Sequence, residues 1–178
     1  MAKRTTKQPI VLAQPGEQCP LPYDRRFSRS LGKRWGVTEK FCYYYADLIV
    51  REDPRLADAS YVEGFATCGF MGHGLSLEHA WIEWRGKRLD PTWALHDWHD
   101  TPDHYFPARR LDRTALLACW EEQHGEDTPY PYILTCRADG ERMYAPHPEY
   151  QLASRAAWRD GVPEESWAAL EQFLDRKD

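Results

Sequence analysis

The 178-residue sequence predicts one α+β domain, in which helices pack on a small antiparallel sheet. Three observations favour this class. An apolar helical stripe occupies 38–52, two segments at 61–68 and 77–90 have the composition and alternation of paired strands, and two further helical patterns follow toward the C-terminus. Residues 1–30 hold four prolines and little periodicity, so we expect a tail and an irregular arm there, and a single domain over 31–178.

The composition narrows the classes of function. The formal net charge of −5 argues against a general nucleic-acid binder, which usually has a basic surface. We expect no membrane span, because no apolar run is long enough, and no apolar segment of signal-peptide length follows the basic N-terminus. A cytoplasmic protein is therefore expected. The five cysteines are odd in number and scattered, which suggests neither a zinc ribbon nor a disulfide framework, and we expect no cofactor.

The first predicted helix carries a cysteine near its start. Thr38 is a good N-cap and Glu39 favours the first turn. The helix should end near Asp53, because Pro54 disfavours helix in the residue before it. One apolar stripe is formed by Phe41, Tyr45, Leu48 and Ile49. Cys42 is thus expected in the first or second turn, where open backbone amides and the helix dipole stabilise a thiolate, although most free cysteines are simply small buried hydrophobes.

Two strands are predicted after this helix. Tyr61–Cys68 is rich in strand-forming residues, and Leu77–Trp84 alternates between two faces. One of these faces carries Leu77, His79, Trp81 and Glu83. The glycines between the strands predict a mobile loop beside a cleft, and they are Gly69, Gly72 and Gly74.

A third strand is predicted to return beside the second. The segment 85–87 is a natural turn, and the strand that follows it reaches Asp90 and ends at Pro91. A turn centred on 85–86 places Asp90 diagonal to His79, and a turn centred on 86–87 places it two residues further away on the same face. A thiol, an imidazole and a carboxylate in this chain order can form a nucleophile, its base and the group that orients the base.

The remaining segments carry less specific patterns. Leu95–His104 is rich in histidine and aspartate, but it matches no defined zinc pattern, so a polar surface loop is favoured over a metal site. Asp112 is expected to cap a helix that runs to about His124. Tyr130–Cys136 suggests a short strand or an extended segment, and a C-terminal helix is expected over about 164–176.

The chain resembles the transglutaminase-like superfamily of papain-like cysteine enzymes over about residues 35–93, a third of its length. The matching pieces are Cys42 at a helix start, the strand Tyr61-Val-Glu-Gly-Phe, His79-Ala80-Trp81 and Asp90-Pro91-Thr92. In that family these three residue types form a triad in the same chain order. The resemblance implies a papain/transglutaminase-like fold, in which an N-terminal helix with the cysteine packs on a small antiparallel sheet with the histidine and aspartate, followed by extra C-terminal helices.

The resemblance also implies a cysteine-dependent acyl transfer on an amide. Cys42 would be the nucleophile, His79 the base and Asp90 the residue that orients it. Water (hydrolysis, deamidation) or an amine (transamidation) would resolve the thioester. The expected partner is a peptide or protein amide substrate, with no nucleic acid, membrane or metal involved.

Three more residues are candidates for oxyanion or substrate binding. Trp35 is one by analogy, since some family members use an indole N–H beside the amide of the nucleophile. Trp81 belongs to the His-Ala-Trp motif. Glu63, together with Glu78, could select a cationic substrate, but Glu63 could equally pair with a nearby arginine or lysine.

Two alternatives remain open at this point. One is a fold relative that has lost catalysis and binds a peptide or a partner protein in the same cleft. The other is a metal-dependent hydrolase that uses the histidines and aspartates of 96–104. The first alternative predicts a Cys42 no more reactive than the other thiols, and the second predicts a tightly bound stoichiometric metal.

Overall fold

The structure is a computed structural model that describes residues 12–38, 40–70, 73–95, 104–123 and 147–161. Within these residues one antiparallel sheet has the strand order β3-β2-β1-β4. Its strands are β1 Ser60–Phe70, β2 His73–Trp84, β3 Lys87–Leu89 and β4 His104–Asp112. The helices are α1 Arg25–Trp35, α2 Cys42–Glu52, α3 Pro91–Ala94, α4 Arg113–Gln123 and α5 Pro148–Gly161, with a 3-10 turn at Pro54–Leu56. The expected α+β class with a small antiparallel sheet is confirmed.

Helix α2 begins later than predicted. Thr38 is not its N-cap; Phe41 is, and it supplies no side-chain cap. The reason is Lys40, whose φ of 69° is left-handed and interrupts any helix that starts at Thr38. Cys42 is consequently the first helical residue, and the helix ends at Asp53 as predicted.

The predicted apolar stripe of α2 is wrong at its start. The predicted place of Glu39 in the first turn lies outside the described residues. Phe41 precedes the helix and is 45% exposed. The face that is buried consists of Ala46, Asp47, Ile49 and Val50.

The glycine segment between β1 and β2 is not a loop at Gly69 or Gly74. Both residues lie inside strands, and they pair with each other. Pairing continues to Phe70 and His73, while Gly72 lies outside the described residues. The predicted mobile loop is therefore wrong for these two glycines, because ladder hydrogen bonds extend the strands to the end of the hairpin.

Of the two turns considered, the structure has the one centred on 85–86. Trp84 pairs with Lys87, and the turn residues Arg85 and Gly86 have φ values of 49° and 73°. Two left-handed residues in sequence are typical of a type I′ turn, whose twist matches that of the strands. This register places Asp90 on the same side of the sheet as His79.

Three elements were not anticipated from the sequence. Helix α1 begins at Arg25, so the irregular arm predicted for residues 1–30 is wrong from that point; Asp24 caps the helix by accepting a 3.0 Å hydrogen bond from the Phe27 N–H. Strand β4 begins at His104, and α5 follows the undescribed stretch 124–146. The metal-site segment 96–103, the strand at 130–136 and the helix at 164–176 also lie outside the described residues.

Both faces of the sheet are covered. On one face, Tyr61, Ala80 and Ile82 pack against a core that includes Ile49 and Val50 of α2. Further along the same face, α5 covers a cluster made of Phe65, Phe106, Ala108, Tyr150, Ala153 and Ala157. The opposite face is covered by the N-terminal arm, and its cluster is Cys19, Leu21, Val62, Ala66, Trp81 and Tyr105.

Among the residues described, no helix combines the length and apolar character that a bilayer crossing requires.

Candidate active site

Asp90 lies at the junction of β3 and α3, completely buried. It is the N-cap of α3, and its Oδ1 accepts a 2.9 Å hydrogen bond from the Trp93 N–H. Pro91 at the first helical position fits this geometry because its missing N–H would have no helical acceptor. The Asp-Pro-Thr sequence thus stops the strand and aims a carboxylate back at the sheet.

His79 lies in the middle of β2, opposite Gly64 of β1, and is 3% exposed. Its Nε2 is 2.6 Å from Asp90 Oδ2. Since a carboxylate only accepts, Nε2 carries the proton in this hydrogen bond. That leaves Nδ1 as the nitrogen that can accept a proton from a third group.

The third group is Cys42. Its side chain is half-buried at the first residue of α2, and it lies close enough to His79 for its charge and a hydrogen bond to raise the pKa of His79. The first N–H groups of a helix have no acceptor within the helix, and Phe41 provides no side-chain cap for them. The structure therefore brings Cys42, His79 and Asp90 together: Asp90 is hydrogen-bonded to His79, and Cys42 is near enough to His79 to influence its pKa.

Electrostatics favour an ionised Asp90 and a charged His79. Burial disfavours the imidazolium and lowers the pKa of His79, but the charges of Asp90 and Cys42, and the hydrogen bonds to both, raise that pKa above its ordinary value. Burial raises the pKa of Asp90, yet the His79 charge and the hydrogen bonds it accepts lower it on balance. This is the charge distribution of a base that has taken a proton and is held by a carboxylate.

Several residues that contact Asp90 or His79 were not predicted from the sequence. The Tyr105 hydroxyl of β4 donates to Asp90 Oδ2 at 2.7 Å. The Asp90 N–H donates to Ser28 Oγ of α1 at 2.9 Å, and the Tyr23 hydroxyl donates to the Asp90 carbonyl at 3.4 Å. Trp93 packs edge-on to the His79 ring, with 5.5 Å between centroids. Only Trp93 adjoins the Asp-Pro-Thr motif, so only Trp93 could have been suspected from position.

Trp35 is not placed to serve as an oxyanion donor. Its Nε1 donates to Asp53 Oδ2 at 3.2 Å. Asp53 is the C-cap of α2, whereas Cys42 begins that helix, so the two residues are separated by about 17 Å at 1.5 Å per residue. The structure thus uses the Trp35 N–H at the opposite end of the helix from Cys42.

Trp81 and Glu63 are also not exposed to a substrate. Trp81 has no exposed surface, packs edge-on to Tyr105 at 5.0 Å and donates from Nε1 to Glu83 at 3.4 Å. Glu63 is 1% exposed and accepts a 2.6 Å hydrogen bond from the Tyr61 hydroxyl. Both side chains are buried in the sheet core, and the structure does not bring them together with Cys42 at a surface.

No other described feature adds a metal-binding group or a surface pocket to this site. No group of three or more potential metal ligands is found in the described parts of the chain. A surface depression near the other end of β2 is lined by Leu12, Leu21, Asp58, Ser60, Glu83, Trp84, Arg85 and Gly86. Its lining includes none of the three linked residues, so the site is defined by Cys42, His79 and Asp90.

Comparison of the chain with protein-family models, with curated proteins and with solved structures finds no match in any of the three.

Proposed function

We propose that this chain is a cysteine-dependent acyl transferase or hydrolase of the transglutaminase-like, papain-like type, acting on an amide of a peptide or protein. The observation that carries the proposal is the buried 2.6 Å contact between His79 and Asp90, together with the influence of the nearby Cys42 on the pKa of His79. A thiol at a helix start, an imidazole and a carboxylate in this arrangement are what nucleophilic catalysis requires.

In the proposed first step His79 takes the proton of the Cys42 thiol, and the sulfur attacks the amide carbonyl carbon. The protonated His79 then gives its proton to the leaving nitrogen, the C–N bond breaks, and a thioester with Cys42 remains. The Cys42 N–H, at the positive end of α2, supports the proposal as one donor to the developing oxyanion.

In the second step water or an amine gives a proton to His79 and attacks the thioester carbonyl. The C–S bond breaks, and the proton returns to the sulfur. Asp90 keeps the Nε2–H of His79 in place during both steps, so Nδ1 always faces Cys42.

The proposal is tested by alkylating the native protein with limiting iodoacetamide and mapping the modified cysteines by mass spectrometry. We expect Cys42 to react first and to slow by at least about tenfold in His79→Ala, because the base that removes its proton is lost. Cys119 of α4 is the internal control, since it is also half-buried. Burial raises the pKa of Cys19 to about 11, so that thiol should stay unmodified.

Two results would contradict the proposal. Equal alkylation rates at Cys42 and Cys119, with the fold intact by circular dichroism, would favour the alternative that the protein is a module that binds a partner without catalysis. Turnover of an amide substrate that persists in Cys42→Ala, or that chelators abolish, would favour metal-dependent hydrolysis.

A further inference from the structure

Arg88 is a buried cation near the candidate active site. It lies on β3 with 7% exposure, and its guanidinium carbon is 3.8 Å from the centroid of the Tyr105 ring and 5.6 Å from that of Tyr23. Its cross-strand neighbour Glu83 is bonded instead to Arg110, at 2.6 and 3.1 Å. Arg88 Nε has no hydrogen-bond partner within the described residues. Burying a charge on aromatic rings is unfavourable unless something nearby compensates for it.

Tyr105 connects this cation to the site. Its side chain has no exposed surface, and its hydroxyl donates to Asp90 Oδ2, the same oxygen that His79 contacts. The rings of Tyr105 and His79 are 5.9 Å apart. Inside the protein, the Arg88 cation therefore contacts the Tyr105 phenol. Tyr105 in turn contacts the Asp90 carboxylate, which contacts the His79 imidazole.

We propose that Tyr105 and Arg88 are positioning residues for the reaction: Tyr105 fixes the Asp90 carboxylate, and Arg88 offsets part of the negative charge that His79 experiences. The inference rests on the proposed function. His79 must both accept the Cys42 proton and release it to the leaving nitrogen, and an unopposed buried carboxylate would hold that proton too firmly. A nearby cation and a second hydrogen-bond donor to the carboxylate weaken that hold.

The charged and titratable groups around His79 come from each neighbouring element. Cys42 of α2 and Asp90 at the start of α3 act on it directly. Tyr23 and Tyr105 both feel the charges of Asp90 and of Arg88. Glu83 of β2 and Arg110 of β4 also lie beside Arg88, but they are bonded to each other. Removing Arg88 therefore has a definite electrostatic sign.

The test uses protein labelled with ¹⁵N-histidine, with the His79 signals assigned from His79→Gln. The two ring distances place the Arg88 guanidinium within about 10 Å of His79, where one unit charge in a protein interior changes a pKa by about one unit. We therefore expect Arg88→Gln to raise the titration midpoint of His79 by about one pH unit. Arg88→Lys, which keeps the charge, should retain the original midpoint.

Tyr105→Phe provides an independent measurement if Arg88→Gln folds poorly. Asp90 Oδ2 would lose one of its two donors and become a stronger acceptor for His79, so the Nε2–H proton resonance should move downfield. Tyr61→Phe is the matched control, because Tyr61 is equally buried and donates to a different carboxylate, Glu63. Arg85→Met controls for a cation on an aromatic ring away from the site, since Arg85 lies over Trp84.

The outcomes separate this inference from the proposed function. If His79 accelerates Cys42 alkylation but neither Arg88→Gln nor Tyr105→Phe moves the His79 signals, the inference is overturned and the proposed function stands. If those signals move as expected while Cys42 is unreactive, the coupling through Asp90 is supported and the proposed function fails.

Discussion

Gly64 lies opposite His79 on β1, and it allows the backbone of β4 to approach closely. A Cβ at this position would lie 2.1 Å from the Phe106 carbonyl oxygen and 3.0 Å from the Ala108 nitrogen. The pairing of β1 with β4 also shifts register here. We expect Gly64→Ala to lower the free energy of unfolding by about 3 kcal/mol, because both contacts are backbone atoms that cannot rotate away. Urea unfolding at neutral pH measures this change.

Gly36→Ala is the matched control for Gly64→Ala. Gly36 caps α1 with a φ of 61°, and an added Cβ would meet no atom within 4 Å. This substitution should cost only the left-handed backbone strain of about 1 kcal/mol. Similar losses for the two variants would mean that steric contact with β4 does not explain the glycine.

At the scale of elements, α1 supports the site through its contact with α3. Gly32 of α1 faces the end of β3 and the start of α3: a Cβ on it would lie 2.8 Å from the Pro91 carbonyl oxygen and 2.9 Å from the Leu95 side chain. Ser28, one turn earlier, holds the Asp90 N–H. The two helices therefore position the carboxylate jointly.

We expect Gly32→Ala to push α1 away from α3, to lower the free energy of unfolding by about 2 kcal/mol and to slow the alkylation of Cys42. Unfolding in urea and the iodoacetamide rate measure the two effects. Ser30→Ala, an exposed substitution on the same helix, should change neither quantity. An unchanged alkylation rate in a destabilised Gly32→Ala would show that α1 stabilises the fold without positioning Asp90.

For the whole molecule, the buried His79–Asp90 pair makes stability depend on pH. The folded-state pKa of Asp90 is lowered, so its contribution is present above the unfolded value of about 3.9 and is lost as pH falls through the folded value. The folded-state pKa of His79 is raised to about 10, so its contribution is present below about 6.5 and is lost as pH rises toward 10.

We expect the free energy of unfolding of Cys42→Ala, in which no thiol can supply the proton that His79 holds, to fall by about 1 kcal/mol per pH unit above pH 6.5, measured by urea unfolding between pH 6.5 and 8.5. This window avoids the thiol of Cys19, whose raised pKa affects stability only at higher pH. In His79→Gln the fall should disappear. A fall of the same size in that variant would assign the alkaline dependence to other groups.

Local patterns in the sequence were sufficient for several features of the site. The alternation of β2, a turn within 85–87, and the Asp-Pro step that ends β3 depend on residues within a few positions of one another. The spacing between His79 and Asp90 across such a turn is fixed by strand geometry, so their shared face was predictable. The start of α2 was not, because the left-handed Lys40 is a conformation that few side chains signal.

By itself, then, the sequence determined the α+β class, the β2–β3 hairpin and the three residue types that the hairpin and α2 present. Only the tertiary structure decided that Trp35 donates to Asp53, that Trp81 and Glu63 are buried, that Tyr105 and Ser28 contact Asp90, and that Arg88 lies over the Tyr105 ring. The physical reason is chain separation. β4 pairs with β1 across some forty residues, and α1 reaches Asp90 from sixty residues away, so neither contact leaves a periodic trace in the local sequence.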